Sequence, residues 1–195
     1  MILSNIEIIR CLESGAFSIS SLAGTDPTEA PFNTSSVDLR LGDEILVPDE
    51  SSPVQLDLRK PGIAQFWAKH SVSHKITEAQ PFSLGPNKLV LAKTLERVDF
   101  PINPDSTSYS ARVEGRSSLA RCGILVHFTA PTIHAGFAGT ITLEIINLGT
   151  HTFLLIPGMY VCQLIIEEVK GCPVDAPNQF RGQSTPAGVV GSKKS

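Results

Sequence analysis

Residues 114–147 read EGRSSLARCGILVHFTAPTIHAGFAGTITLEIIN. The last eight alternate: Ile141, Leu143 and Ile145 fall on one face, Thr140, Thr142 and Glu144 on the other. That is the period of a strand with two unlike surfaces. An aliphatic run at 124–129 precedes it, and short apolar runs at 109–113, 152–156 and 160–168 surround it, most of them divided by Gly or Pro. Fourteen prolines and fifteen glycines supply the turns such a chain needs. Many short strands with few helices imply an antiparallel sandwich or barrel.

Toward the N-terminus the pattern changes once. Residues 4–14, SNIEIIRCLES, predict a short helix. Ser4 is a good N-cap with Glu7 three residues on, Ile6, Ile9 and Leu12 recur at helical spacing, and Gly15 stops the run. A polar loop over 24–35 comes next. SVDLRLG (36–42) alternates apolar and charged residues, the period of a half-exposed strand. Apolar runs at 45–47, 54–58, 82–84 and 88–95 continue the strand pattern, while 60–80 has no clean period and reads as an excursion with a helical turn. No internal repeat is present. Residues 1–175 are expected to form one domain, and 176–195, rich in Pro, Gly, Ser and Gln, a mobile tail that can serve as a lid.

A formal charge of −3 and a pI near 5.9 argue against a general nucleic-acid binder. No apolar run approaches the ~20 residues of a membrane helix, and the N-terminus lacks the pattern of an export signal. No nucleic acid and no membrane are therefore expected as partners, and the cytoplasm is the expected location. Cys11, Cys122, Cys162 and Cys172 have neither C-x-x-C spacing nor a histidine at zinc-site spacing, so free thiols are expected. His70 and His74 are expected in solvated loop.

Two features carry chemistry. Gly115 permits a tight turn, after which a serine is expected to cap a two-turn helix ended by Gly123. Arg116, Ser117, Ser118 and Arg121 would crowd two hydroxyls and two guanidiniums around free N–H groups, an arrangement suited to polyphosphate. The same residues suit a capped surface helix with two solvated arginines, and spacing alone does not separate these. Glu144 has a similar double reading. It is either an ordinary solvent-facing residue or, among aliphatic neighbours, a carboxylate raised in pKa by desolvation and suited to move protons.

GRSSLAR (115–121), GILVHFTA (123–130), GTITLE (139–144) and Pro157-Gly158-Met159 with Gln163-Leu164 resemble the dCTP deaminase branch of the dUTPase-like superfamily. MILS (1–4), SVDLRLG (36–42), LAKTLERV (91–98) and FRGQ (180–183) are similar to that branch too, so the resemblance spans most of the chain in family order. It implies a mainly β, distorted jelly-roll or β-clip barrel and a homotrimer with active sites between subunits. It implies an enzyme, a hydrolase acting on a cyclic amidine C–N bond, that converts dCTP to dUTP and ammonia. Magnesium is expected on the triphosphate, with no zinc; the zinc nucleobase deaminases need a His/Cys/Cys or Cys₃ site that this sequence does not supply.

By that resemblance Glu144 is the catalytic proton shuttle, and Ser117 and Arg121 hold the water and base. Arg116 and Ser118 face phosphate, main-chain groups near Ala130 and Thr142 read the base edge, and Gln183 closes over the triphosphate. Two departures stand out. His134 replaces the aspartate expected at the sugar 3′-hydroxyl, which counts against pyrophosphate hydrolysis more than against deamination. Between Glu168 and Phe180 the chain is short, without the phosphate-contacting tyrosine, and Gln179 stands where a lysine is usual. A dUTPase, a bifunctional deaminase–dUTPase and a non-catalytic nucleotide-binding trimer are the other readings.

Overall fold

A computed structural model describes residues 1–49, 51, 55–59, 62–176 and 180–188. The helix expected at the N-terminus is α1 (Asn5–Ser14). The Ser4 hydroxyl accepts from the Glu7 amide at 3.3 Å, and Gly15, at φ 72°, closes the end by donating to the Cys11 and Leu12 carbonyls. The Glu7 carboxylate turns to Arg10, at 3.2 Å, rather than back to the cap. Ile8 and Cys11 are the buried positions of the helix.

Strands dominate the rest of the chain. Its first half holds β1 (Ser18–Ser20), β2 (Phe32–Asn33), β3 (Ser36–Pro48), α2 (Ile63–Lys69), β4 (Ser71–Lys75), β5 (Phe82–Leu84) and β6 (Leu89–Asp99). Then come β7 (Ser108–Gly115), α3 (Ser117–Ala120), β8 (Ile124–Val126), β9 (Thr132–Ile133), β10 (Ala138–Asn147), β11 (Phe153–Leu155) and β12 (Tyr160–Val169). The main sheet runs β8-β10-β6-β3-β12-β7-β9, with β1 on β6 and both β2 and β4 on β3; β5 and β11 pair separately. All these pairings are antiparallel.

The long strand β3 makes one sheet into two layers. Val37 to Arg40 pair with β12, whereas Leu41 to Pro48 pair with β6 and β4. Gly42 sits at the handover, where an added Cβ would lie 3.0 Å from the Lys93 carbonyl oxygen. A glycine there lets two backbones approach closely as the strand changes partners. Packed between the layers are Val37, Leu39, Leu41, Ile45, Ala92, Ile141, Leu143, Ile145, Leu164 and Ile166, all essentially without solvent contact.

Three sequence expectations change here. SVDLRLG is not half-exposed: as part of the central strand it is buried on both faces, and the buried set includes Asp38. Residues 55–58 form no strand, and residue 54 lies outside the described residues. His74 lies in β4 rather than in loop, its ring edge on Phe82, while His70 ends α2 with its ring 4.7 Å from Phe66. All four cysteines are free; Cys11 and Cys162 are buried, Cys122 and Cys172 exposed. No helix among the described residues is long and apolar enough to cross a membrane.

Candidate active site

Strand β10 carries the chemistry because its alternation is real. Ile141, Leu143 and Ile145 are buried in the core while Thr142 and Glu144 lie half-buried on the other face. Beside it, the β8–β10 ladder gains one more bond, from the His127 amide to the Glu144 carbonyl at 2.8 Å. His127 has φ 56°, the left-handed region, which ends the strand. Its imidazole Nδ1 lies 3.0 Å from Glu144 Oε2, with the histidine 8% and the glutamate 37% exposed. The pair has the separation of an ion pair but not the geometry of a hydrogen bond.

A cavity of about 260 Å³ opens over this pair, bounded also by Ala130, His134, Phe137, Thr142, Phe180 and Gln183. His127 Nε2 and Thr142 Oγ1 are buried on its wall with no hydrogen-bond partner among the described residues. Leaving such groups unsatisfied costs ~1–3 kcal/mol each. Water or a small polar molecule entering the cavity would find these groups free to bond.

Burial pushes the Glu144 carboxyl upward, but the His127 contact and charge and a backbone hydrogen bond outweigh it. The net direction is below the ordinary glutamate value. This corrects the expectation of a raised pKa: the sequence showed the aliphatic neighbours but not the imidazole. Glu144 is thus ionised at neutral pH and able to accept a proton. The pair's contribution to stability is present above the unfolded carboxylate pKa, ~4.3, and is lost as pH falls through the depressed folded value. Asparagine tolerates the left-handed backbone, so His127→Asn removes the imidazole with little added strain. Burial is then opposed only by the backbone hydrogen bond, and the acid limb of a kcat/KM profile is expected to move to higher pH; an unmoved limb would detach His127 from the carboxylate.

The tail reaches the cavity. The Gly182 amide donates to the Ala138 carbonyl at 2.6 Å, the Thr140 amide to the Gln183 carbonyl at 3.0 Å, and Gln183 Nε2 to the Thr140 carbonyl at 2.8 Å. Lys93 Nζ adds a bond to the Ser184 carbonyl at 3.0 Å. Gly139 makes this docking possible, since an added Cβ would stand 2.8 Å from the Gln183 carbonyl oxygen. Gly139→Ala should lift the strap, speed tryptic cleavage at exposed Arg181 and raise the KM for a ligand of this cavity about tenfold, the effect of losing one or two such bonds. Wild-type cleavage and KM would show that the strand tolerates the methyl group.

Of the expected site residues, Glu144, Ala130, His134, Thr142 and Gln183 meet in this cavity. Gln179 lies outside the described residues. Arg116, Ser117, Ser118 and Arg121 are not on its wall. Their turn is also shorter than expected: α3 is a single turn with Arg116 at the N-cap position and no side-chain cap, although Gly123 comes after it with φ 83° as its end. Four residues align too few peptide dipoles to make a strong anion site alone. Leu119 and Cys122 pack beside Val126 and Ile145, the face of β8 and β10 opposite to Glu144. The sheet therefore separates the turn from the carboxylate within one chain. Ser117, Ser118 and Arg121 are exposed, and Arg116 is held against Asp38 and Tyr160.

His127 is the functional residue that reading the sequence missed. The signal was present in V-H-x-T-A, where a titratable ring interrupts an apolar strand end. Its pairing with Glu144 comes only from the β8–β10 register.

Comparison with known proteins agrees with this architecture. The model of the dCTP deaminase-like family matches residues 2–169. The chain belongs to that family. A dCTP deaminase from Haloarcula marismortui is 38% identical over 192 residues, covering 95% of this chain and 92% of the relative. A relative from Methanobrevibacter smithii, a dUMP-forming dCTP deaminase, is 39% identical over 166 residues, 85% of this chain and 79% of its own. The crystal structure of the 2′-deoxycytidine 5′-triphosphate deaminase from Agrobacterium tumefaciens shares the fold, with a TM-score of 0.63 at 18% identity. It matches over 86% of this chain, which spans about half (47%) of that longer one. The distorted jelly-roll of this family is thus the fold observed.

Proposed function

We propose that this protein hydrolyses dCTP to dUTP and ammonia, with Glu144 carrying the protons. The observation that carries the reading is an ionised, half-buried carboxylate on the wall of a small cavity where His127 Nε2 and Thr142 Oγ1 lack hydrogen-bond partners among the described residues. Water adds through its oxygen to carbon 4 of cytosine as Glu144 takes one proton. The carboxylic acid so formed protonates the ring nitrogen; the regenerated carboxylate then takes the proton of the new hydroxyl and passes it to the amino group. The carbon–nitrogen bond then breaks, ammonia leaves, and the new carbonyl completes uracil. A positioned general base of this kind is worth ~10²–10⁴ in rate. The His127 ring, 3.0 Å from its oxygen, would hold the carboxylate in place.

Magnesium belongs to the substrate in this reading, bound to its phosphates. Among the described residues no three His, Cys, Asp or Glu side chains cluster to hold a metal. Arg116 and Ser118 would meet the phosphates, and Ser117 and Arg121 the water and base. Because the sheet stands between them and Glu144 in one chain, a neighbouring copy would supply them, and a homotrimer with shared sites meets that need. Mixing Glu144→Gln protein with Arg121→Ala protein should then restore activity through hybrid assemblies. Two variants that stay inactive together would place each site within one subunit.

A second reading, release of dUMP with pyrophosphate, has support in relatives such as that of Methanobrevibacter smithii, whose name describes it as dUMP-forming. His134 at the cavity mouth, in place of a carboxylate, weighs against it. Incubation with dCTP and magnesium, with ammonia, dUTP, dUMP and pyrophosphate all quantified, separates the two. Ammonia with dUTP supports deamination alone, dUMP with pyrophosphate supports the bifunctional enzyme, and binding without product would overturn both.

A further inference from the structure

Proton transfer through Glu144 leaves the SVDLRLG motif unused, yet its aspartate is one of the few buried charges in the protein. Asp38 is 6% exposed and lies on β3, beside β12 in the β3–β12–β7 layer. Its Oδ1 accepts from Asn33 Nδ2 and from Gln163 Nε2, each at 3.0 Å. Its Oδ2 lies 3.2 Å from a terminal nitrogen of Arg116. Gln163 is the cross-strand partner of both Asp38 on β3 and Glu114 on β7, so the contact to Arg116 spans β12. From β12 itself the Tyr160 ring supports the guanidinium, whose central carbon is 5.5 Å from the ring centroid.

We infer that Asp38 is a positioning residue for phosphate binding: with Tyr160 it locks Arg116 and thereby fixes the Gly-Arg-Ser-Ser turn that receives the triphosphate. The inference rests on the assignment of that turn to phosphate under the proposed function. Three observations support it. A carboxylate that needed only to satisfy itself already has two amide donors from Asn33 and Gln163. Arg116 spends one nitrogen on Asp38 and a face on Tyr160, which leaves other N–H donors of its fork for phosphate oxygens. The turn, at one helical turn, has too weak a dipole to orient an anion by itself, so its direction must come from a fixed side chain. The side chain of Arg116 remains 33% exposed, accessible to a ligand while anchored at its root.

The test is a split between KM and kcat in the full-length protein. Asp38→Asn keeps the shape and the side-chain size but loses the charge that holds the guanidinium. It should raise KM for dCTP at least tenfold while kcat stays within threefold, because the contact of Asp38 on this turn is to Arg116, the phosphate residue, and not to Ser117 or Arg121, which are assigned to the water and base. Asn33→Ala, which removes a bond to the same carboxylate without touching Arg116, should leave KM within twofold. Equal losses in both variants, or a fall in kcat matching the rise in KM, would assign Asp38 to sheet stability alone. If Asp38→Asn does not fold, Tyr160→Leu removes the aromatic support with the carboxylate cluster intact and should raise KM in the same sense; an unchanged KM there overturns the inference. Calorimetry with inorganic triphosphate separates this from the deamination reading. Weakening of triphosphate binding by tenfold or more in Asp38→Asn supports positioning even if the protein makes no uracil nucleotide. Equal binding, tighter binding by the variant or no binding by the wild type overturns it.

Discussion

Glu144→Gln should lower ammonia release from dCTP by about a thousandfold, within the ~10²–10⁴ range for loss of a positioned general base, and leave nucleotide binding within a few-fold of wild type. The amide keeps the size and one acceptor oxygen, so the cavity wall retains its shape. What it loses is the ability to accept a proton at neutral pH, and with it the charge that faces His127 Nδ1 at 3.0 Å. Binding should survive because the contacts proposed for phosphate lie elsewhere, on the Gly-Arg-Ser-Ser turn. The measurement is single-turnover ammonia release beside equilibrium binding of dCTP. A variant that binds and still deaminates at more than a tenth of the wild-type rate would remove Glu144 from the proton path. One that no longer binds would make its role structural.

The pH profile adds an independent check on the same residue. Glu144 is held below the ordinary carboxylate range, so its protonation should limit kcat/KM only in acid. A half-maximal point near neutrality would mean that a different group, or a Glu144 desolvated by a neighbouring copy, governs the reaction. The His127→Asn variant discriminates these, since it moves the limb only if the imidazole sets it.

Much of this fold was legible because local rules and burial agree. Ser4, Gly15 and the apolar spacing between them define α1, and the strict alternation of 140–147 survives as the buried and half-buried faces of β10. The illegible part depends on partners distant in sequence. SVDLRLG alternates like a surface strand, but Asp38 and Arg40 find Asn33, Gln163, Arg116 and Glu96 inside the protein. Period alone reports two faces and cannot say that both are covered. The same limit applies to the site. The stretch 114–147 holds both the anion turn and the carboxylate, yet β8 and β10 lie between them, so nearness in sequence did not become nearness in one chain. His127 was overlooked because its importance comes from a backbone twist and a cross-strand neighbour.

Those inward charges lead to the largest expected effect on stability. Glu96 is 1% exposed, and its Oε1 meets Arg40 Nε at 2.7 Å. Its Oε2 accepts from the Arg40 amide at 2.8 Å, and the same guanidinium donates to the Ser21 carbonyl. Glu96→Ala would leave a largely buried guanidinium and a backbone N–H without their acceptor, the arrangement for which losses of ~3–5 kcal/mol are typical. That is a large part of the ~5–15 kcal/mol by which domains are stable, so urea unfolding at fixed protein concentration should show a clearly lower midpoint. Replacing both charges, as in Glu96→Leu with Arg40→Met, should cost less than Glu96→Ala, because no charge then remains unpaired. It should not be free, since the residue-40 amide still lacks its acceptor, a penalty of ~1–3 kcal/mol. A double variant at least as unstable as Glu96→Ala would mean that shape, rather than the buried charge, makes this pair necessary.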